Sequence, residues 1–313
     1  MINTSIKEKL ISGIKDVERI AAATRLRRML RHPLRYLEAI CHRELIYKKT
    51  KKERVAICKT FFNTRMHLLL PSGTDIYLTG GKSHPSEIRL AKFLINQLNP
   101  GDIFLDVGAH YGYFTLLASS LVTESGKVFC FEASPSTYHT LKKNTNFSKN
   151  INIYNYAVSD EKSDLLFYEF PNLYSEYNSL DVQQFRNKVW YSEYKPQEVH
   201  VQGIVLDEFL YTENVHPCII KIDVEGAEYK VVNGLKEYLI SYSPIVVIEY
   251  LCAERCNDAH LKAEKFLNSL QYQSFRIDYN GDLQKVDLIS SYMTQEGLES
   301  DNIVFVKKNS RVL

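Results

Sequence analysis

Phe104-Leu-Asp-Val-Gly-Ala-His-Tyr-Gly-Tyr-Phe114 is an apolar run that opens into Gly108 and Gly112 just before a second apolar stretch. It reads as a buried strand turning sharply into a helix. Glycines at that junction let the backbone approach a ligand closely, while the free N–H groups of the helix start favour polar or anionic ligand atoms. Working outward, Asp102 to Val107 reads as a strand, Phe114 to Leu121 as a helix, Lys127 to Phe131 as a strand, Ser136 to Asn146 as a helix and Ile151 to Ala157 as a strand. Cys218 to Val224, Ala227 to Leu239 and Ile245 to Tyr250 continue as strand, helix and strand. This alternation implies right-handed crossovers and a mostly parallel sheet with helices on both faces. After a helix near His260 to Leu270, the runs Gln273 to Asp278 and Asn302 to Lys307 predict a closing antiparallel pair around a looped insertion.

The flanks behave differently. Residues 1–62 show helical spacing at Ile6, Leu10, Ile14 and Val17 and are interrupted at Pro33, which predicts a helical N-terminal extension before a main domain over residues 63–313. Met66 to Leu78 reads as a hairpin around Ser72-Gly73, and Ser86 as the cap of a helix reaching about Leu98, stopped by Pro100-Gly101. Between Asp160 and Leu206 the rhythm pauses for a segment rich in Tyr, Phe and Asn, an insertion over about 161–205 too long for a plain connector.

Composition sets outer limits. With 45% hydrophobic and 24% charged residues in 313, the chain can bury a core. No apolar run approaches the roughly 20 residues of a membrane-spanning helix. The opening Met-Ile-Asn-Thr-Ser-Ile-Lys lacks the basic-then-apolar order of a secretory leader, so a cytoplasmic location is expected, and the six cysteines read as structural thiols. Residues 1–60 carry 16 Lys/Arg against 6 Asp/Glu, whereas the rest of the chain is acidic. That basic arm is either a solvated helical face or a peripheral contact for an anionic membrane surface.

Asp106 ends the first strand two residues before Gly108, and Glu132 ends the next, 20 residues after Gly112. An acid at that second tip is placed to accept hydrogen bonds from two ribose hydroxyls, the mark of a nucleoside ligand. The dinucleotide pattern G-x-G-x-x-G is absent because position 110 is His, so a pyrophosphate finds no glycine cradle. Asp106 would repel phosphate but attract the ammonium and sulfonium of S-adenosylmethionine.

The second informative run is Ile219-Ile-Lys-Ile-Asp-Val-Glu-Gly-Ala-Glu-Tyr229, which delivers Lys221, Asp223, Glu225 and Glu228 at a strand's C-terminal end. Ligands of open α/β sheets bind at that edge. Close carboxylates raise one another's pKa and supply a candidate base for an attacking hydroxyl, with Lys221 to steady the alkoxide. The competing reading has Asp223 and Glu225 capping the next helix and Lys221 neutralising them. No dedicated metal-ligand spacing is present, and no metal is assigned.

Phe104 to Phe114, Phe131-Glu-Ala-Ser-Pro135, Ala157-Val-Ser-Asp160, Leu206-Asp-Glu-Phe-Leu210, Lys221 to Glu228 and Ile248-Glu249 together resemble the FkbM family of methyltransferases over roughly residues 85 to 250. The resemblance implies a class I Rossmann-like α/β fold with a mostly parallel seven-stranded sheet and S-adenosylmethionine as donor. It also implies O-methylation of sugars or other natural-product hydroxyls. By it, Asp106, Gly108, Gly112 and Glu132 hold the cofactor, with Ser134 in the same motif, and Asp160 lies near the adenine. His110 stands where the family usually shows Asn, and its imidazole can still donate a hydrogen bond. Glu87 stands where members often carry an acid, and Glu249 closes the acceptor side. Glu87 reads equally as a first-turn helix acid.

Tyr177 and Trp190 of the insertion are candidate acceptor contacts, since aromatic faces stack on sugar rings; packing of the loop onto the sheet is the equal alternative. The expected partner is a hydroxylated small molecule or glycan precursor. A protein or other small-molecule methyltransferase and a silent nucleoside-binding module remain as alternatives. Asp223-Val-Glu-Gly226 stands where a base N-methyltransferase would carry Asn-Pro-Pro-Tyr, so no nucleic acid partner is expected.

Overall fold

The computed structural model describes residues 4–308; Met1 to Asn3 of the opening run lie outside them. An eight-stranded sheet carries the fold. From one edge to the other its strands are Leu283–Lys285, Tyr272–Ile277, Ser300–Lys307, Ile245–Leu251, Ile219–Ile222, Ile103–Val107, Lys127–Phe131 and Ile151–Tyr154. The five from Ile245–Leu251 onward are parallel, while Ser300–Lys307 pairs antiparallel on both sides. Seven of these match the expected Rossmann-like sheet, and Leu283–Lys285 adds a short antiparallel edge from the looped insertion.

Two faces must both be covered, and alternation along each strand achieves it. Phe104, Val128, Ile219, Val247 and Val304 point to one core; Leu105, Phe129, Ile220, Val246, Ile248 and Ile303 point to the other. The helix Thr4–Ala21 belongs to the first core, because Leu10, Ile14 and Val17 are buried there. Its Glu18 also receives the buried Lys92 ammonium at 2.8 Å.

Several local expectations change. The strand Arg54–Lys59 falls within the stretch read as helical and pairs with Arg65–Leu70. That partner being taken, the second run of the expected hairpin becomes the helix Thr74–Thr79, which buries Ile76 and Tyr77. Short apolar runs do not announce their period, so tertiary pairing decides. Pro85 starts the next helix, Pro85–Gln97, with His84 at the cap position; Ser86 bonds the His84 ring at 2.7 Å instead of capping.

The run Ile151 to Ala157 splits, since Asn155 Nδ2 donates to the carbonyls of Glu132 and Ala133 at 2.8 and 3.0 Å and turns the chain away. Ala157–Ser159 joins a separate three-stranded sheet with Gln197–Val205 and Asp164–Glu169. The helix expected over Ala227 to Leu239 forms as Glu228–Asn233 and Lys236–Tyr242, broken at Gly234, whose carbonyl accepts Asp207 N–H at 2.9 Å.

Candidate functional site

The C-terminal ends of Ile103–Val107, Lys127–Phe131, Ile219–Ile222 and Ile245–Leu251 open into one cleft of about 950 Å³. Gly108 forms its floor at φ +80°, where a Cβ would lie 1.7 Å from the Asp223 carbonyl oxygen. Only glycine lets the two strand tips close up this way. They are also laced together, since Asp223 N–H donates to Val107 O at 3.0 Å and Gly108 N–H to Phe131 O at 3.0 Å.

One side of the cleft is built for a neutral-to-cationic ligand. Glu132 accepts the backbone N–H of His110 at 2.7 Å and of Ser134 at 3.0 Å. Burial still outweighs those bonds and lifts its pKa to about 7. Its oxygens keep lone pairs for further donors. His110, at φ +49°, bonds Ser175 through Nε2 at 3.0 Å, and burial pulls its pKa down to about 4, so the ring stays uncharged beside the cleft. Ala133, Ala157, Val158 and Phe131 complete an apolar wall.

Other residues of the expected cofactor set do not line the cleft. Asp106 is buried behind it, accepting Thr115 Oγ1 at 2.7 Å and facing Lys221 at 3.6 Å. Gly112 starts the helix Tyr113–Val122. Ser134 caps Pro135–Thr145 by accepting Thr137 N–H at 3.1 Å. Asp160 receives Asn233 Nδ2 at 3.1 Å.

The other side gathers carboxyls. Asp223, Glu225 and Glu249 bring ligand oxygens within 4.8 Å of one another. Burial opposes the charge on Asp223, but Lys221 at 3.0 Å, Glu249 and Lys82 prevail and hold it down at about 2. Burial first, and then the Asp223 charge, drives Glu225 and Glu249 well above the carboxylate range, so they keep protons. Glu225 sits at φ +50°, and its Oε2 is buried with no hydrogen-bond partner among the described residues. A strained backbone holding an unsatisfied oxygen is a feature of functional sites.

Lys221 reaches this group from beneath through a 30 Å³ cavity that it shares with His110 and Asp223. Glu228 turns away; it accepts Gly226 N–H at 3.1 Å with both oxygens and meets His260 at 3.3 Å, so it orders the loop that presents Glu225.

Glu87 lines the cleft and pairs with Lys82, which also lies 3.7 Å from Glu176. Burial exceeds the pull of Lys82 and raises Glu87 to about 7. Burial would discharge Lys82, but Glu87, Glu176 and Asp223 outweigh it and keep the ammonium charged. Sequence reasoning missed Lys82 and Glu176, because nothing in the local pattern marks either one.

Of the aromatic candidates, Tyr177 lines the cleft with Arg255 5.8 Å above its ring. Trp190 instead stacks on Tyr174 at 4.0 Å, inside the insertion's own cluster around Phe170 and Phe185. The packing alternative therefore holds for Trp190. Arg28 and Arg43 of the N-terminal arm also line the cleft, and sequence reasoning missed both as site residues.

The Methyltransferase FkbM domain family matches residues 106–274. Hexuronic acid methyltransferase AglP of Haloferax volcanii is 23% identical over 158 residues, 50% of this chain and 59% of that protein. This chain thus spans about three fifths of the length of that curated relative. Among solved structures, methyltransferase FkbM from Methylobacillus flagellatus aligns at 16% identity and a TM-score of 0.41, covering 87% of this chain and 61% of that one. The Bacillus cereus O-methyltransferase with S-adenosylhomocysteine aligns at 12% and 0.41, covering 72% and 83%.

A nucleoside fits the residues present, because the floor lacks a Cβ, Glu132 has acceptor capacity and the walls beside it are apolar. The chain belongs to the Methyltransferase FkbM domain family.

Proposed function

We propose that the protein methylates a hydroxyl of an anionic sugar or glycan precursor. The carrying observation is a single cleft that joins the Gly108–Glu132 nucleoside wall to a half-buried Glu87–Lys82 pair and an arginine rim. S-adenosylmethionine supplies a methyl group on a sulfonium that departs as a neutral thioether. Glu87, with a pKa of about 7, takes the acceptor's hydroxyl proton as its oxygen bonds the methyl carbon. A base works best when its pKa matches the medium. Asp223, held at about 2, is too weak a base and serves as an anionic anchor beside the cationic donor. The charged Lys82 steadies the developing alkoxide.

This shifts the base from the Asp223–Glu228 run to Glu87. Arg28, Arg43 and Arg255 on the rim suit a carboxylate or phosphate on the acceptor. The relative named for hexuronic acid supports an acidic sugar.

Labelled methyl transfer to a panel of paired hexosides and hexuronides tests the reading. Transfer to the acidic members is expected; transfer only to peptides, or none by a protein that binds the donor, overturns it. In calorimetry, Glu132→Ala is expected to weaken S-adenosylmethionine binding by about 10- to 150-fold, the worth of hydrogen bonds to a charged group. Unchanged affinity would remove Glu132 from the nucleoside site. Arg28→Ala is expected to raise KM for an acidic acceptor about tenfold or more, with KM for a neutral analogue unmoved. Equal effects on both would deny Arg28 an anion-binding role.

A further inference from the structure

The basic arm leaves an apolar surface uncovered. Seven of the eighteen large apolar residues exposed among the described residues fall between positions 26 and 46: Leu26, Leu30, Leu34, Leu37, Ile40, Leu45 and Ile46. Their spacing matches their helices. Leu26 and Leu30 are one turn apart on Arg25–Arg31, and Leu34, Leu37 and Ile40 recur every three residues on Pro33–Cys41.

The segment is held to the fold by its other side. Ala39, His42 and Tyr47 are buried, Tyr77 donates to Glu38 at 2.9 Å, and Leu173 N–H donates to Tyr47 at 3.0 Å. Pro33–Cys41 and His42–Tyr47 are thereby fixed to the fold with Leu34, Leu37, Ile40, Leu45 and Ile46 left exposed.

Charge decides what covers that face. Arg25, Arg27 and Arg31 are interleaved with the leucines, are exposed, and make no ion pair among the described residues. A second copy docking by two-fold symmetry would set these arginines against one another. An anionic bilayer satisfies both features, since leucines enter the headgroup boundary while arginines meet lipid phosphates.

We infer that the helices Arg25–Arg31 and Pro33–Cys41 with the following π-helical segment His42–Tyr47 form a monotopic docking surface for an anionic lipid bilayer. Arg28 and Arg43 of the same segment line the cleft, so docking sets the cleft mouth against the headgroup layer. An acceptor carried on a lipid then reaches the site without leaving the membrane. No helix among the described residues is long and apolar enough to cross a membrane, so this contact is interfacial.

The test is co-sedimentation of the full chain with phosphatidylcholine vesicles, with and without phosphatidylglycerol. Two variants accompany it: Leu26→Ser/Leu30→Ser/Leu34→Ser and Arg25→Gln/Arg27→Gln/Arg31→Gln. None of these positions lines the cleft, so circular dichroism and S-adenosylmethionine binding should be unchanged and report folding. Binding is expected only with phosphatidylglycerol. It should fall about fivefold for each arginine removed, and be lost in the serine variant. Absence of wild-type binding to anionic vesicles, or equal binding by folded variants, overturns the inference. So does a stable dimer that the serine variant dissociates without any vesicle binding. Neither result bears on methyl transfer to soluble acceptors, so the two readings fail separately.

Discussion

Glu87→Gln is expected to lower kcat by about two to four orders of magnitude, the usual contribution of a positioned general base. Its pH profile carries the sharper prediction. In the wild type, burial holds the carboxyl at about 7, so the proton-accepting form grows as pH rises through that value. The rate should climb tenfold per unit below about 7 and level off above it, and the glutamine variant should lose that limb while keeping donor affinity. Asp223→Asn gives the contrast. Its carboxyl is ionised from about 2 upward and does not itself titrate near neutrality, so the variant is expected to keep a limb there, whatever it costs in rate. A limb that persists in Glu87→Gln would transfer the base to another group of the cleft.

The second large effect is expected from a single methyl group. In Gly108→Ala the new Cβ would lie 1.7 Å from the Asp223 carbonyl oxygen, with the backbone still at φ +80°. The left-handed conformation alone costs about 1–2 kcal/mol, and overpacking adds about 1–3 kcal/mol. The clash cannot relax freely, because Asp223 N–H and Val107 O are bonded at 3.0 Å across the same contact. Denaturant unfolding should show destabilisation of about 2–5 kcal/mol, and calorimetry should show loss of S-adenosylmethionine binding. Gly101→Ala separates the two causes. That glycine has φ +92° but its nearest neighbour would be Ser125 Oγ at 4.0 Å, so it carries the strain without the clash. If the two variants behave alike, contact with Asp223 is not what makes Gly108 necessary.

The site was partly legible because some of its requirements are local. Gly108 and Glu132 announce themselves at strand ends, and the first lines the floor while the second presents its carboxyl there. Asp106 was legible in position but not in role: with Thr115 at 2.7 Å and Lys221 at 3.6 Å it is an internal brace. Glu228 looked like a third acid of the cluster, after Asp223 and Glu225. Its bonds to Gly226 N–H draw it under the loop instead. Trp190 was drawn into a cluster by Tyr174, whose ring stacks on it at 4.0 Å inside the insertion.

By itself, the sequence determined the alternation of strand and helix, the glycine turn at the sheet's edge and the acids at its tips. Those depend on period and on steric rules that act within a few residues. Tertiary structure alone decided which distant groups meet there. Lys82 is fixed on Glu87 and Glu176 by a loop and an insertion far apart in the chain, and Arg28 and Arg43 arrive from an arm whose own pattern reads only as basic and helical. It also decided the proton states: an isolated glutamate ionises near 4, and only burial beside other charges moves Glu87 to about 7 while Asp223, bonded to Lys221, falls to about 2. Such shifts are set by desolvation and by neighbours across the fold, which no local pattern of residues encodes.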